Sequence, residues 1–346
     1  MRGLVLSGGT GSRLHPLTRW MPKQLIPVAG VPVLGRVLRG LADIGVVEVA
    51  VVVGDQEQQV RDALGDGSRY GVEVTLVRQD AARGLAHALA VARPFLQDED
   101  VAMVLGDNVL LGGLHGAAAQ FLAGRPAAHL LLHEVEDPRR FGVAQVSATG
   151  RVLDVVEKPR DPVGNLALTG VYFFSPQVHA AVDRLRPSAR GELEITDAIK
   201  LLVEDGAAVT STRHRGYWKD VGTPLDVVEC NRDLLPGLVA RVSGSVDTAT
   251  RVVGHVVVEA GARVERSLLH GPVLVRAGAV VRDSTIGPGT TVGAHCLVDS
   301  STVRDSVVLD GSRLHRGTDL RGCVVGHGEV LRTVEAGTQA ARAVAA

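Results

Sequence analysis

Over the first ~230 residues, short aliphatic runs alternate with segments of helical periodicity. Apolar residues at helical spacing predict helices at Val33–Asp43 and Leu85–Ala92. The aliphatic runs predict strands at Leu4–Leu6, Val47–Val53, Val72–Val77, Val101–Leu105 and His129–His133. Such strands, separated by helices, are typical of a sheet that is buried on both faces. We therefore predict a Rossmann-like α/β domain with a mostly parallel sheet over residues 1–235, whose ligands bind outside the carboxyl ends of the strands.

A different pattern begins near Ser243. Aliphatic residues recur every five or six positions from Val264 to Val325, with glycine or another small residue in the gaps, as in Gly278-Ala279. A period of about six is typical of short strands stacked around a coil. Residues 243–333 are therefore predicted to form a left-handed parallel β-helix, followed by a tail at 334–346. Leu234–Val242 is the predicted connection between the two domains.

Composition excludes several classes of function. The chain has 346 residues, 45% of them hydrophobic, and a formal net charge of −1, so nothing favours binding to nucleic acid or to an anionic membrane. The three cysteines form no CxxC pair, which indicates a reducing compartment and no zinc site. Neither a signal peptide nor an apolar run of about 18 residues is visible, so a cytoplasmic protein is expected.

A glycine-rich loop, Leu6–Leu14, follows the first predicted strand directly. Glycines allow backbone N–H groups to approach a phosphate closely, and the turn is expected to open toward a helix N-terminus. The loop lacks the Gly-Lys-Ser/Thr ending of a Walker A motif, and a plain tight turn is the alternative. Arg13 and Lys23 follow the glycines at short range, and two cations suit a triphosphate whose pyrophosphate must leave.

Two aspartates are candidate metal ligands. Asp107 comes directly after the predicted strand Val101–Leu105, and Asp220 lies in the segment Tyr217–Pro224. Mg²⁺ prefers one or two carboxylates together with phosphate oxygens and water. The alternative for each aspartate is a helix cap or a turn.

Two further motifs carry charged residues. In Val155–Pro159, Glu157 would accept hydrogen bonds from sugar hydroxyls and Lys158 would hold a phosphate, unless the motif is only a charged turn. In Ala189–Asp197, two glutamates precede Thr196, which is the expected N-cap of a helix that begins near Asp197.

Together these motifs resemble those of the sugar-1-phosphate nucleotidylyltransferases, most closely the glucose-1-phosphate thymidylyltransferases. The resemblance covers the first ~230 residues and includes the glycine loop with Arg13 and Lys23, Leu64–Gly71, Gln79, Gly84–Ala86, Leu105–Asn108, Phe141–Val143, Glu157–Pro159, Thr169–Tyr172, Ala189–Asp197 and Trp218–Thr223. With the repeats attached, the chain looks like the long form found in actinobacterial deoxysugar and aminoglycoside pathways.

The resemblance implies a role for each site residue. It implies a Mg²⁺-dependent in-line displacement in which glucose 1-phosphate attacks the α-phosphorus of dTTP, giving dTDP-glucose and pyrophosphate for natural-product biosynthesis. Arg13 would grip the β- and γ-phosphates, Lys23 the α-phosphate, and Asp107 and Asp220 the Mg²⁺. The implied nucleotide-binding residues are Leu6, Gly8, Gly9, Thr10, Gly11, Ser12, Gln79, Gly84 and Asp107. The implied sugar-phosphate-binding residues are Gly142, Glu157, Lys158, Thr169 and Glu192.

Several alternatives stay open at this point. His87 stands where the short forms typically carry glutamine, and Lys219 and Val221 also depart from them, so UTP, ATP or GTP in place of dTTP is an alternative. Another sugar or cyclitol phosphate is the alternative acceptor. The β-helix is expected to assemble the chain into a homo-oligomer of unspecified order. The alternative use of the β-helix is an added acetyltransferase activity with His295 as base. A non-catalytic homologue is disfavoured because Arg13, Lys23, Asp107 and Asp220 are all present.

Overall fold

A computed structural model describes residues 1–9, 11–112 and 114–331, together with the backbone of 343–345. The α-helices are α1 Val33–Asp43, α2 Glu57–Leu64, α3 Leu85–Val91, α4 Arg93–Leu96, α5 Leu114–Gly124, α6 Gln177–Asp183, α7 Ile195–Glu204 and α8 Pro224–Leu234. Short 3₁₀ helices span Ser12–Leu14, Leu17–Arg19, Lys23–Leu25, Ser68–Tyr70, Pro138–Arg140 and Leu235–Gly237. Within the described ranges, no helix has the length and apolar character needed to cross a membrane.

Strands make up most of the remaining regular structure. Those before α8 are β1 Arg2–Ser7, β2 Pro27–Val28, β3 Val31–Pro32, β4 Glu48–Val53, β5 Glu73–Arg78, β6 Val101–Leu105, β7 Asn108–Leu110, β8 Ala128–Glu134, β9 Gly142–Val146, β10 Val152–Glu157, β11 Leu166–Phe174, β12 Val209–His214 and β13 Trp218–Asp220. Those after α8 are β14 Arg241–Val242, β15 Ser245–Val246, β16 Arg251–Val253, β17 Val256–Val258, β18 Arg263–Glu265, β19 Leu268–His270, β20 Val273–Val275, β21 Val280–Arg282, β22 Thr285–Ile286, β23 Thr290–Val292, β24 Leu297–Asp299, β25 Thr302–Arg304, β26 Val307–Val308, β27 Arg313–Leu314, β28 Asp319–Arg321, β29 Cys323–Val325, β30 Val330–Leu331 and β31 Ala343–Ala345.

Packing divides the chain into two compact units. The first unit contains residues 1–9 and 33–220. The second contains the described residues of 10–32 and 221–346. A stretch near the N-terminus therefore packs with the C-terminal part of the chain. The predicted functional boundary near residue 235 stays a prediction, because packing alone does not define a catalytic domain.

The first unit is built on a nine-stranded mixed sheet. Its central order is β10-β9-β11-β6-β1-β4-β5, and β8 joins β11 to β12. Strands β5, β4, β1 and β6 run parallel, while β11 is antiparallel to β6. Leu4 at the centre of β1 pairs with Ala50 on one side and Met103 on the other, and all three are fully buried. The predicted strands and both predicted helices are present, which confirms the Rossmann-like α/β domain.

The second unit contains the predicted β-helix. Its strands form three parallel sheets, in the orders β14-β17-β20-β23-β26-β29, β15-β18-β21-β24-β27-β30 and β16-β19-β22-β25-β28. Each strand pairs with the strand three places later; Val264, for example, pairs with Val281, and Val281 with Val298. A coil therefore takes about 17 residues and contains three strands, as the six-residue period requires. These three valines are fully buried and stack along the interior.

Serines satisfy the backbone at one corner of the β-helix. The backbone N–H of Ser284 donates to Ser267 Oγ, and that of Ser301 donates to Ser284 Oγ, both at 3.1 Å. Buried N–H groups at a corner would otherwise lack a partner, so small hydroxyl residues one coil apart replace the missing ladder bonds. None of the three cysteines forms a disulfide.

Candidate active site

Asp107 and Asp220 meet at the end of the parallel strands. Strand β6 ends at Leu105, and the N–H of Gly106 donates to the carbonyl oxygen of Leu6 at 2.9 Å, so β6 and β1 end together. Asp107 occupies the turn into β7, and β13 pairs antiparallel to β7 with Asp220 opposite Asn108. Both aspartates line one pocket of the first unit. Neither caps a helix, because one lies in a turn and the other ends a strand.

The donor set at this turn suits a divalent cation. Two carboxylates at neighbouring positions match the one or two with which proteins usually hold Mg²⁺, while phosphate oxygens and water complete its shell. The described residues include no grouping of three or more His, Cys, Asp or Glu that would hold a metal ion. The arrangement therefore fits a cation shared with a phosphate ligand.

Trp218 forms a wall of the same pocket. Its indole N–H donates to Asn108 Oδ1 at 2.9 Å and to the carbonyl oxygen of Thr169 at 3.0 Å. The ring of Phe141 meets it edge-on, with centroids 5.2 Å apart, and the ring of His133 lies 5.4 Å away. One side chain thus joins β13, β7 and β11 around the pocket and fixes the strand that ends in Asp220.

Four of the predicted sugar-phosphate residues lie at this pocket. Gly142, Glu157, Lys158 and Thr169 all line it. A methyl group at Gly142 would lie 2.9 Å from Thr196 Cγ2 and 3.2 Å from Glu157 Oε2, so glycine leaves the Glu157 carboxylate accessible. The Thr169 hydroxyl donates to the carbonyl oxygen of Leu131 at 2.9 Å, and this bond fixes the orientation of the hydroxyl group.

A guanidinium that the sequence analysis did not single out holds the neighbouring acidic residues. Arg190 contacts Glu157 Oε1 at 3.2 Å, Glu192 Oε2 at 2.8 Å and Glu194 Oε1 at 3.6 Å. Glu192 does not line the pocket and is connected to it through Arg190. Burial raises the pKa of the Glu194 carboxyl, against the hydrogen bond from Ser188 Oγ. Arg190 lies inside the motif Ala189–Asp197 together with Glu192 and Glu194, whereas its contact with Glu157, 33 positions away, is visible only in the structure.

The expected N-cap at Thr196 is wrong. Helix α7 begins at Ile195 with Glu194 as N-cap, and Thr196 lies in its first turn. The Thr196 hydroxyl is directed at Glu157 Oε2 at 3.4 Å instead. Because Glu194 already has extended backbone angles and precedes the first helical residue, the helix begins two residues earlier than the threonine suggested.

Gln79 lies beside the start of the glycine loop. Its Nε2 donates to the carbonyl oxygen of Gly84 at 3.2 Å and lies 2.9 Å from His87 Nδ1. With both contacts on the nitrogen, Oε1 turns toward Gly8, where an added methyl group would lie 3.4 Å from it. A methyl group at Gly84 would lie 2.4 Å from the carbonyl oxygen of Leu193, so only glycine fits there. Three predicted nucleotide-binding residues are therefore adjacent, and His87 orients one of them.

The remaining loop residues are divided between the two units. Leu6 is buried in β1, and Gly8 and Gly9 follow at the end of that strand. Gly11, Ser12, Arg13 and Lys23 belong to the second unit, and Thr10 lies outside the described residues. The expected helix after the loop is a three-residue 3₁₀ helix, Ser12–Leu14, which offers less of a dipole than an α-helix.

Within the second unit, the segment that carries the two cations is folded back on itself. Gly11 has a φ of 62°, and a methyl group there would lie 3.1 Å from Lys23 Cβ. The hydroxyl of Thr18 donates to the carbonyl oxygen of Gly11 at 3.0 Å. A methyl group at Gly222 would lie 2.8 Å from Arg13 Nη2, so the guanidinium rests against the backbone just before α8.

Comparison with known proteins identifies a family. The family model described as "Nucleotidyl transferase" matches residues 2–236. The chain is 47% identical to a glucose-1-phosphate thymidylyltransferase of Streptomyces antibioticus over 273 residues, which are 79% of this chain and 77% of the relative. It is also 47% identical to a glucose-1-phosphate thymidylyltransferase of Streptomyces griseus, over 79% of this chain and 77% of the relative.

A solved structure agrees with these relatives. A crystal structure described as a glucose-1-phosphate thymidylyltransferase from Bacillus anthracis, in complex with sucrose, is 34% identical with a TM-score of 0.63. The similarity covers 67% of this chain and 94% of that one.

Proposed function

Because the chain belongs to the nucleotidyl transferase family, we propose that it transfers the thymidylyl group of dTTP to glucose 1-phosphate, giving dTDP-glucose and pyrophosphate. The observation that carries the proposal is one pocket that Asp107 and Asp220 share with Gly142, Glu157 and Lys158. Acidic ligands for a metal and a lysine for a phosphate in the same pocket suit a reaction between two phosphorylated substrates.

The chemistry is a single displacement. An oxygen of the sugar phosphate forms a bond to the α-phosphorus, and the bond from that phosphorus to the departing pyrophosphate breaks. A bound Mg²⁺, held by Asp107 and Asp220, would supply neutralisation of phosphate charge. Lys158 binds the sugar phosphate, Glu157 accepts from sugar hydroxyls, and Arg13 and Lys23 neutralise the triphosphate. Catalysis then consists of positioning and of charge stabilisation as pyrophosphate leaves.

The orientation of Gln79 supports a base with an N–H donor. Since Nε2 is occupied by Gly84 and His87, the oxygen is the group that faces a base beside Gly8. Thymine and uracil present an N3–H to such an acceptor, whereas cytosine and adenine present a ring nitrogen acceptor there. Gln79 therefore favours thymine or uracil over cytosine and adenine, and the thymidylyltransferase relatives make dTTP the first candidate and UTP the second.

We propose that the β-helix assembles the chain into a homo-oligomer and that the product serves deoxysugar or natural-product biosynthesis in the cytoplasm. Light scattering on the purified chain tests the first point directly. His295 is exposed, has a φ of 57° and stacks on Gly278 in the coil before it. A role for His295 in acetyl transfer stays a prediction.

One activity panel tests the proposed function. The chain is incubated with Mg²⁺, glucose 1-phosphate and each of dTTP, UTP, ATP, GTP and CTP in turn, and pyrophosphate is measured. Release with dTTP, with UTP second, is the expected result. Activity confined to ATP or GTP would overturn the base assignment, and absence of pyrophosphate from every pair, with other sugar and cyclitol phosphates included, would overturn the reaction.

A further inference from the structure

Helix α8 lies between the β-helix and the segment that carries Arg13 and Lys23. All three belong to the second unit. The helix begins at Pro224 behind a capping box in which Thr223 and Asp226 satisfy each other's backbone N–H groups. It packs along β23, β26 and β29 of the β-helix. Arg13 rests against Gly222 just before the helix, so the helix start is fixed next to one of the two cations.

A tight hairpin connects that segment to the middle of α8. Strands β2 and β3 pair across a two-residue turn in which Ala29 and Gly30 have φ values of 45° and 75°. Positive φ at both positions defines the turn that suits a two-residue hairpin, and an alanine there is held against its preference. The 3₁₀ helix Lys23–Leu25 comes just before β2, so the hairpin determines where Lys23 lies.

Asn231 fixes the tip of this hairpin. It is fully buried, and its Oδ1 accepts from the N–H of Ala29 at 3.0 Å and from Thr291 Oγ1 at 2.7 Å. Its Nδ2 donates to the carbonyl oxygen of Gly289 at 2.9 Å. The amide both donates and accepts here, whereas a carboxylate only accepts and an apolar side chain does neither, so neither of these can make all three bonds. One side chain on α8 thereby joins the hairpin to a coil of the β-helix.

Two further contacts join the same parts of the chain on either side of Lys23. A methyl group at Gly30 would lie 2.8 Å from Leu274 Cδ2, which places the hairpin tip directly against β20. Leu17 is buried, and its Cδ2 would lie 3.9 Å from a methyl group at Gly326, just after β29. The segment therefore contacts the β-helix both before and after Lys23.

We propose that Asn231 is a positioning residue for nucleotidyl transfer: it holds residues 11–32 against the β-helix, so that Arg13 and Lys23 are presented to the triphosphate. The inference rests on the proposed function for the roles of those two cations. The β-helix then helps to hold the segment that carries these two cations, in addition to any role in assembly.

The test compares the full-length chain with three variants. Asn231→Ala removes all three hydrogen bonds, Thr291→Val removes only the one donated by the Thr291 hydroxyl, and Thr290→Val is the matched control. Thr290 is the adjacent buried residue on β23, and its hydroxyl makes one long contact among the described residues, 3.5 Å to the carbonyl oxygen of Pro288. Thr291→Val keeps the test decisive if Asn231→Ala does not fold.

Kinetics separate positioning from general stability. Loss of these buried hydrogen bonds should leave the segment with Arg13 and Lys23 less firmly held, so that the two cations bind the triphosphate less well. We therefore expect KM for dTTP to rise about tenfold in Asn231→Ala and about threefold in Thr291→Val. KM for glucose 1-phosphate should stay unchanged in both, because Glu157 and Lys158 belong to the first unit. If kcat and the KM for dTTP in both variants equal those of Thr290→Val, the inference is overturned, because the two cations are then placed without Asn231.

A second measurement does not depend on activity. Trypsin is applied to the native chain, and cleavage after Arg13, Arg19 and Lys23 is followed by mass spectrometry. Cleavage there should be several times faster in Asn231→Ala and Thr291→Val than in Thr290→Val, because the segment is released from the β-helix. Equal rates in all variants would refute positioning by Asn231. If the unmodified chain transfers no nucleotide, the proposed function fails, whereas faster cleavage would still show that Asn231 holds the segment.

Discussion

Asp220 lies directly opposite Asn108 in the antiparallel ladder of β13 and β7, and Asn108 is the residue that follows Asp107. The two aspartates come from segments separated by more than one hundred residues, and a short two-stranded sheet brings them to one pocket. Each strand has only three residues, too few for an apolar pattern to predict it from the sequence. The proximity of the two aspartates therefore depends on tertiary structure.

The first prediction concerns this pair. Asp107→Asn and Asp220→Asn should each lower kcat/KM at least about 100-fold, which corresponds to about 2.7 kcal/mol of transition-state stabilisation. An amide keeps the size of the carboxylate and removes the charge that a divalent cation requires. Pyrophosphate release is measured over a range of Mg²⁺ concentrations. Asp55→Asn is the control, since the Asp55 side chain is 96% exposed. Normal turnover in both variants would refute the assigned role.

The second prediction concerns Lys23. Lys23→Ala should lower kcat/KM at least about 100-fold, because the charge that develops on the phosphates during the displacement would lose a compact cation. The chain offers a matched control in Lys200→Ala: Lys200 pairs with Asp154 at 3.6 Å on the surface. We expect pyrophosphate release by that variant to match the unmodified chain. A Lys23→Ala variant with near-normal kcat/KM would show that the ammonium does not contact the triphosphate.

The third prediction concerns the wall of the pocket. Trp218→Phe removes an N–H that serves both Asn108 Oδ1 and the carbonyl oxygen of Thr169. Two partly buried acceptors would lose their donor, which should lower the free energy of unfolding by about 1–3 kcal/mol. KM for glucose 1-phosphate should rise as well, because Thr169 lines the pocket.

Denaturant unfolding and steady-state kinetics check the Trp218 prediction together. Trp20→Phe is the control, since Trp20 is 63% exposed and lies outside the pocket. If Trp218→Phe and Trp20→Phe have the same stability and the same KM for the sugar phosphate, the indole N–H does not organise the pocket.

Local patterns were sufficient for much of the fold. Strand β6 has the bounds of its aliphatic run, Val101–Leu105, and α1 has the bounds of its amphipathic segment, Val33–Asp43. The repeat of Val264, Val281 and Val298 gives the β-helix because each coil must place the same apolar residue in the interior. These elements are predictable because the spacing of apolar residues within one segment shows which positions are buried.

Contacts distant in sequence were not predictable in the same way. The hydrogen bond from Ala29 to Asn231 spans 202 positions, and nothing in Val28–Val31 or in α8 indicates that they meet. The contact of Arg190 with Glu157, 33 positions away, likewise depends on how β10 and the segment before α7 are placed side by side. The charged motif residues of the site stand out from apolar surroundings in the sequence, whereas a buried amide such as Asn231 does not.

The fourth prediction is a pH dependence of stability that originates at His129. This residue is 1% exposed, and its ring nitrogens contact Thr210 Oγ1 at 2.8 Å and Thr212 Oγ1 at 2.9 Å. Thr212 donates its own hydroxyl to Gln120 Oε1, so it accepts from His129 Nε2. The neutral ring, protonated on Nε2, therefore satisfies the network. Burial lowers the pKa of His129 to about 4.

The sign follows from the protons bound by each state. The unfolded chain protonates this imidazole near pH 6.5 and the folded chain only near pH 4, so the unfolded state binds more protons between those values. The contribution of His129 to stability is therefore complete above pH 6.5 and falls as the pH drops toward 4, by up to about 1.4 kcal/mol per pH unit.

The free energy of unfolding is measured at pH 7.5 and pH 5 for the unmodified chain and for His129→Gln, whose amide does not titrate. The unmodified chain should lose about 1–2 kcal/mol more than the variant on acidification. Other buried histidines contribute equally to both proteins and cancel, so an identical loss in the two would show that His129 is not held neutral.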